Sequence, residues 1–125
     1  MEEIAQRLGS EYANAKYLSI AEVSLILKHF KEQGETNEQF NKMHSYVTRY
    51  NRFPDTQIAK HVRKMLEEHE FDNRKSLEEL QIVLLMNLCP ESPDEARVLI
   101  PHLESYSDDE LRTILDEMAR LKNMQ

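Results

Sequence analysis

Five histidines, a single cysteine and a run of acidic side chains are the groups in this chain whose chemistry reaches beyond packing. His29, His44, His61, His69 and His102 are scattered. No two of them have the i, i+4 spacing with an intervening glutamate by which a helix holds zinc and aims a general base, so they read as solvated or structural. Cys89 has no second cysteine to complete a metal set and no nearby histidine to activate it as a nucleophile. It reads as a small hydrophobe at a helix end. Asp108, Asp109 and Glu110 are consecutive, so on a helix they point in different directions, and in a first turn their charge suits the helix dipole. The sequence lacks a calcium loop with its central glycine, a glycine-rich phosphate loop and a serine elbow. These patterns point away from catalysis, and no metal or cofactor is expected.

One stretch has a binding pattern. From Tyr46 to Lys64, aromatics alternate with Arg49, Arg52, Lys60, Arg63 and Lys64, a weak signature of single-strand binding by stacking and phosphate contact. Tyr50 and Phe53 also belong to an apolar stripe, and a basic face equally complements an acidic surface. The net charge of −7 opposes broad attraction to phosphate. That charge is unevenly placed: residues 1–41 carry four basic and seven acidic side chains, residues 42–75 eight and five, and residues 76–125 four and eleven. Only the middle segment is net basic.

The elements that would position these groups are helices. The chain has 125 residues, two glycines, no tryptophan and many Leu, Glu, Lys, Met, Arg and Ala residues, which predicts an all-α fold. A lone cysteine forms no internal disulfide and asks for no oxidising compartment. No apolar run approaches about 18 residues, and the opening Met1-Glu2-Glu3 is not a basic region leading into a hydrophobic one. Neither a signal peptide nor a membrane span is expected.

Capping boxes mark the helix starts. A serine stands three residues before a glutamate at Ser76–Glu79, Ser92–Glu95, Ser107–Glu110 and Ser19–Glu22, and Thr36–Gln39 is a weaker version. Pro93 fits the first position of its helix, while Pro90 and Pro101 stop the helices before them. The helix from Ser19 should run to about Gln33 and end at Gly34. Ile20, Val23, Leu27 and Phe30 form one stripe on it, with Leu25 and Ile26 off the stripe. Either one side faces a core and the other a partner, or the helix is buried all round. Phe40, Met43, Val47, Tyr50 and Phe53 predict a core stripe on the next helix. Asp55 should cap a third, with Ile58, Val62, Met65 and Leu66 inward, ending near His69. Glu70 to Lys75 reads as a linker. The segment from Leu77 to Leu88 is apolar nearly all round and should form a central helix. Ala96, Leu99, Ile100 and Leu103 fill the next short helix and its exit, and the last helix places Leu111, Ile114, Leu115 and Met118 on one face. Residues 1–18 contain Gly9, Tyr12, Tyr17 and Leu18 among small and polar neighbours, and have little to bury by themselves.

Asn87-Leu88-Cys89-Pro90-Glu91, followed by Glu95-Ala96, Leu99 to Glu104, Asp109-Glu110-Leu111 and Ile114 to Glu117, resembles the C-terminal domain of the fourth-subunit family of eukaryotic RNA polymerase II, which has relatives in the archaeal enzyme. Leu8 to Tyr12, Asn14-Ala15 and Ser19 to Val23 resemble the family's N-terminal segment and first helix, and Thr48 to Phe53 its next helix. Nearly the whole chain is covered. The Glu32 to Thr36 loop is shorter than in many members, and the extended acidic N-terminus of some is missing.

The resemblance implies a non-catalytic, nuclear stalk subunit that pairs with the polymerase's seventh subunit and docks near the clamp of the polymerase core. The partner would supply the oligonucleotide-binding barrel, so contact with nascent RNA would be indirect. It further implies an HRDC-like helical domain over residues 37–125, preceded by a partner-binding segment and helix over residues 1–36. Tyr12, Tyr17, Leu18, Ile20, Val23 and Leu27 are the expected interface, with Cys89 and Pro90 as a second patch. Two other readings stay open. One is a free-standing HRDC-like nucleic-acid-binding module with Arg49, Arg52, Arg63 and Lys64 as its contact face. The other is the equivalent stalk subunit of another RNA polymerase.

Overall fold

Side-chain caps set where the helices begin in the computed structural model, which describes residues 17–34, 36–71 and 76–125. Among these residues the regular elements are six helices: α1 (Ile20–Glu32), α2 (Glu38–Tyr50), α3 (Thr56–Glu68), α4 (Glu79–Leu88), α5 (Pro93–Leu99) and α6 (Asp108–Asn123). Across the described residues the fold is all-α, as composition and periodicity predict. Ser19 and Ser107 form full capping boxes with Glu22 and Glu110, Asp55 accepts from Gln57 and Ile58, and Ser92 accepts from Glu95 with Pro93 at the first helical position. Gly34 follows α1 with φ of 77°, the left-handed value that favours glycine after a helix.

Two starts differ from expectation. Asn37 rather than Thr36 caps α2, its carboxamide oxygen accepting from Phe40 at 2.8 Å. The serine at 76 is exposed and lies outside α4; there Gln81 reaches back to the Glu78 N–H at 2.9 Å. The Gln81 amide nitrogen also donates to the carbonyls of Pro101 and His102, both at 3.1 Å. A glutamine can close a capping box and hold a distant loop with the same side chain, whereas a carboxylate has no donor for the second task.

The core is one buried cluster. Val62 and Leu66 from α3, Leu85 and Met86 from α4, Ala96 from α5 and Leu111, Ile114 and Met118 from α6 are at its centre, with Phe53, Ile100 and Leu103 from the connections and Ala21 from α1. The predicted inward stripe of α2 is corrected by the structure: Val47 and Phe53 are buried, but Met43 and Tyr50 are exposed. Helix α2 packs mainly on α1, which covers Val47 and leaves Met43 and Tyr50 open.

A buried guanidinium joins three helices. Arg63 on α3 is 4% exposed; its Nε donates to Glu67 at 2.6 Å, its Nη2 donates to Glu79 at the start of α4, and its Nη1 lies 3.5 Å from Glu22 on α1. Glu22 is also the third residue of the α1 capping box, where its Oε1 accepts from the Ser19 N–H at 2.8 Å. Its Oε2 is buried with no hydrogen-bond partner among the described residues. Burial pushes the Glu22 carboxyl above its ordinary value, against the pull of Arg63 and Ser19. Burial works against the Arg63 cation too, but Glu22, Glu67 and Glu79 outweigh it and raise its pKa. The partners differ because Arg63 has three carboxylates while half of the Glu22 carboxylate has nothing.

Removing the two partners should therefore have unequal effects. Arg63→Met leaves the buried Glu22 carboxylate without its cation, while Glu67 and Glu79 still reach water, and should cost about 3–5 kcal/mol. Glu22→Gln keeps the capping box and removes the poorly satisfied charge, so it should stay within about 1 kcal/mol of the parent at neutral pH. The native state holds the Glu22 proton more tightly than the unfolded chain does. The stability this group contributes is thus fullest below the ordinary carboxylate range and falls as pH rises through its raised native value. In urea titrations, Glu22→Gln should gain on the parent as pH rises from below the ordinary carboxylate range through the raised native value.

Candidate partner interface

The α1 helix is anchored at its N-terminus from two sides. Arg63 holds Glu22 from below, and the Asn87 carboxamide oxygen on α4 accepts from the Ile20 N–H at 2.8 Å. Ile20 is the first residue of α1, so its N–H is one of the donors a helix leaves unpaired. Ser19 is fully buried at this junction. Asn87, the first residue of the Asn87 to Glu91 joint, thus works as a remote cap for another helix.

This anchoring decides which apolar residues remain outside. Tyr17 is 50% exposed, and Leu18, Ile20 and Val23 are half-buried. Leu27 is only 6% exposed, because it packs within the chain; it serves the core rather than an outer face. Tyr12 lies outside the described residues. Sequence reasoning missed the part contributed by α4, where Leu80 and Leu88 are 42% and 37% exposed and Leu84 between them is half-buried. These leucines repeat every four residues, and Asn87 stands on the same side of the helix, so the stripe borders the point where α1 begins. A ten-residue helix apolar on all sides was itself a signal, since neighbouring helices seldom cover every face.

The second expected patch has a different form. Cys89 is half-buried, adopts a left-handed conformation with φ of 45° and ψ of 59°, and donates its thiol to the Met86 carbonyl at 3.5 Å; Pro90 is buried. Burial pushes the thiol pKa up while Lys122 and Arg52 pull against it, which keeps the sulfur in its weakly nucleophilic protonated form.

The four basic residues singled out as nucleic-acid contacts do not form one surface. Arg49, Arg52 and Lys64 are exposed, but Arg63 is committed to the buried ion cluster. Arg49 lies 5.6 Å from the centre of the Tyr50 ring, which packs against Tyr46 at 4.7 Å. Among the described residues no three metal-ligating side chains converge, and no helix is long and apolar enough to cross a membrane.

The family model for RNA polymerase Rpb4 matches residues 4–122. The chain belongs to this family. Rpb4 chains are accessory subunits and carry no catalytic centre of the polymerase. The similarity extends over most of the length of individual relatives. The DNA-directed RNA polymerase II subunit rpb4 of Dictyostelium discoideum is 33% identical over 131 residues, spanning 87% of this chain and 81% of the relative. The DNA-directed RNA polymerase II subunit 4 of Arabidopsis thaliana is 30% identical, spanning 95% and 91%, and the Schizosaccharomyces pombe rpb4 subunit is 29% identical, spanning 99% and 94%.

Asn87 gives a direct check on how this Rpb4-family surface is built. Asn87→Ala removes the acceptor for the Ile20 N–H and should cost about 1 kcal/mol. Amide exchange should accelerate most in the first turn of α1, while the buried amides of α6 follow only the global change.

Proposed function

We propose that this chain is the fourth subunit of a nuclear RNA polymerase II, acting by binding alone as one half of a stalk heterodimer with the seventh subunit near the clamp of the core enzyme. The observation that carries this reading is the apolar surface left open where α1 meets α4. Tyr17, Leu18, Ile20 and Val23 from one helix and its lead-in, and Leu80 and Leu88 from the other, lie about a single anchored junction. Large exposed apolar surfaces on small domains mark partner sites. Membership of the Rpb4 family and the names of its relatives supply the kind of assembly. In this reading residues 1–36 form the partner-binding portion, residues 37–125 the HRDC-like support, and RNA contact runs through the partner's barrel. An obligate pair of this kind would bury more than about 1,600 Å².

The exposed Arg49, Tyr50 and Tyr46 group keeps the free-standing nucleic-acid module as a second reading, though the burial of Arg63 removes one of its contacts. Steep salt dependence of RNA binding by the isolated chain would favour that module.

The stalk reading is tested by coexpression with the seventh subunit. Val23→Asp combined with Leu80→Asp places charge on the open face and spares the core, since neither residue is fully buried. Copurification should be lost with helical content unchanged by circular dichroism. Copurification at the parent level would sink the interface assignment, and identification of the largest subunit in a tagged pull-down reports which polymerase the chain serves.

A further inference from the structure

A second binding feature lies at the joint between α4 and α5, against the C-terminal half of α6. It is a groove of about 320 Å³, within the range of small-ligand and peptide side-chain pockets. Cys89 and Pro90 line it together with Ala119 and the edges of the largely buried Leu115 and Met118 from α6. Glu91, Asp116, Lys122 and Asn123 make the rim.

Two observations show what this groove is suited to hold. The rim carries two carboxylates against one ammonium, and neither the Glu91 nor the Asp116 side chain makes a hydrogen bond or ion pair among the described residues. Both are exposed, on the most acidic third of the chain. The other observation is the residue at the helix end. A left-handed position after a helix is the usual place for glycine or asparagine, yet Cys89 holds φ of 45° there. Glycine would relieve the backbone but remove the side chain that walls the groove. The thiol is also held in place, since it donates to the Met86 carbonyl.

We propose that this groove takes a short segment of a protein partner, with an apolar side chain seated between Cys89 and α6 and a lysine or arginine beside it meeting Glu91 and Asp116. The site is separate from the open face of α1 and α4, and the proposal does not rest on the heterodimer reading. Its lining mixes polar and apolar surface and its carboxylates outnumber the Lys122 ammonium, so a basic segment is favoured over a phosphate-bearing one and uncharged apolar peptides leave both carboxylates without a partner.

The test is a selection of random ten-residue peptides displayed on phage against the full chain, with counter-selection against Ala119→Arg. Ala119 is exposed, so its replacement fills the groove without entering the core. Enriched peptides should combine an apolar residue with an adjacent Lys or Arg, and a synthetic peptide from that set should bind Ala119→Arg at least tenfold more weakly than the parent. The double variant Glu91→Lys, Asp116→Lys should reverse the preference toward acidic peptides. Cys89→Gly should weaken peptide binding while the spectrum of the rest of the fold is kept; should that variant not fold, the charge reversal carries the test. Failure to enrich any peptide that distinguishes the parent from Ala119→Arg would overturn the proposal, as would enriched peptides that lack basic residues or ignore the charge reversal.

Discussion

The burial of the Arg63 guanidinium constrains everything else in this fold. A cation taken out of water must be matched by carboxylates in fixed positions, because desolvation costs several kcal/mol for each ion. Here the carboxylates come from α1, α3 and α4, so the requirement of one side chain fixes the relation of three helices. Hydrophobic burial draws Ala21, Ile26 and Leu27 of α1 inward, but only Ala21 joins the main cluster. The ion cluster, with the Asn87 cap, adds direction to that packing at the start of the helix.

That direction accounts for the distribution of exposed surface. With Glu22 turned inward and Ile20 bonded to Asn87, α1 cannot roll to cover its own apolar edge or that of α4. Leu27 is drawn into the protein while Ile20 and Val23 stay half open. The same ten-residue helix α4 fills the core with Leu85 and Met86, caps α1 with Asn87, offers Leu80 and Leu88 outward and ends in the strained Cys89. The joint from Asn87 to Glu91 is therefore structural at its first residue and borders a groove at its last. An accessory subunit that works by binding needs such presentation of surface rather than a reactive group.

Much of this was legible in the sequence, and the failures have physical causes. Local hydrogen bonds could be read directly: Ser19, Asp55, Ser92 and Ser107 cap the helices their spacing predicts, and Pro90 and Pro101 follow helix ends. Asn37 displaced Thr36 because asparagine is a stronger cap one residue later. The Ser76 box failed because Gln81 could satisfy the α4 start and the loop carbonyls of Pro101 and His102 together, a gain invisible without the fold. Periodicity placed Met43 and Tyr50 in a stripe but could not say that little would lie over it. Arg63 looked like its basic neighbours, since nothing local marks which cation will be surrounded by carboxylates from distant helices. The expected role of Leu27 shifted for the same reason: the buried face of α1 is Ala21, Glu22, Ile26 and Leu27 rather than the predicted stripe, because the angle at which α1 docks decides what is covered.

The most direct measurement is hydrogen–deuterium exchange on the free chain and on the chain assembled with its polymerase partner. If the anchored α1 and α4 edge is the docking face, slowing on assembly should concentrate in Ile20–Glu32 and Glu79–Leu88. Slowing confined to α2 or α6, with α1 and α4 exchanging as they do in the free chain, would contradict the central claim that Arg63 and Asn87 hold this edge open for a partner.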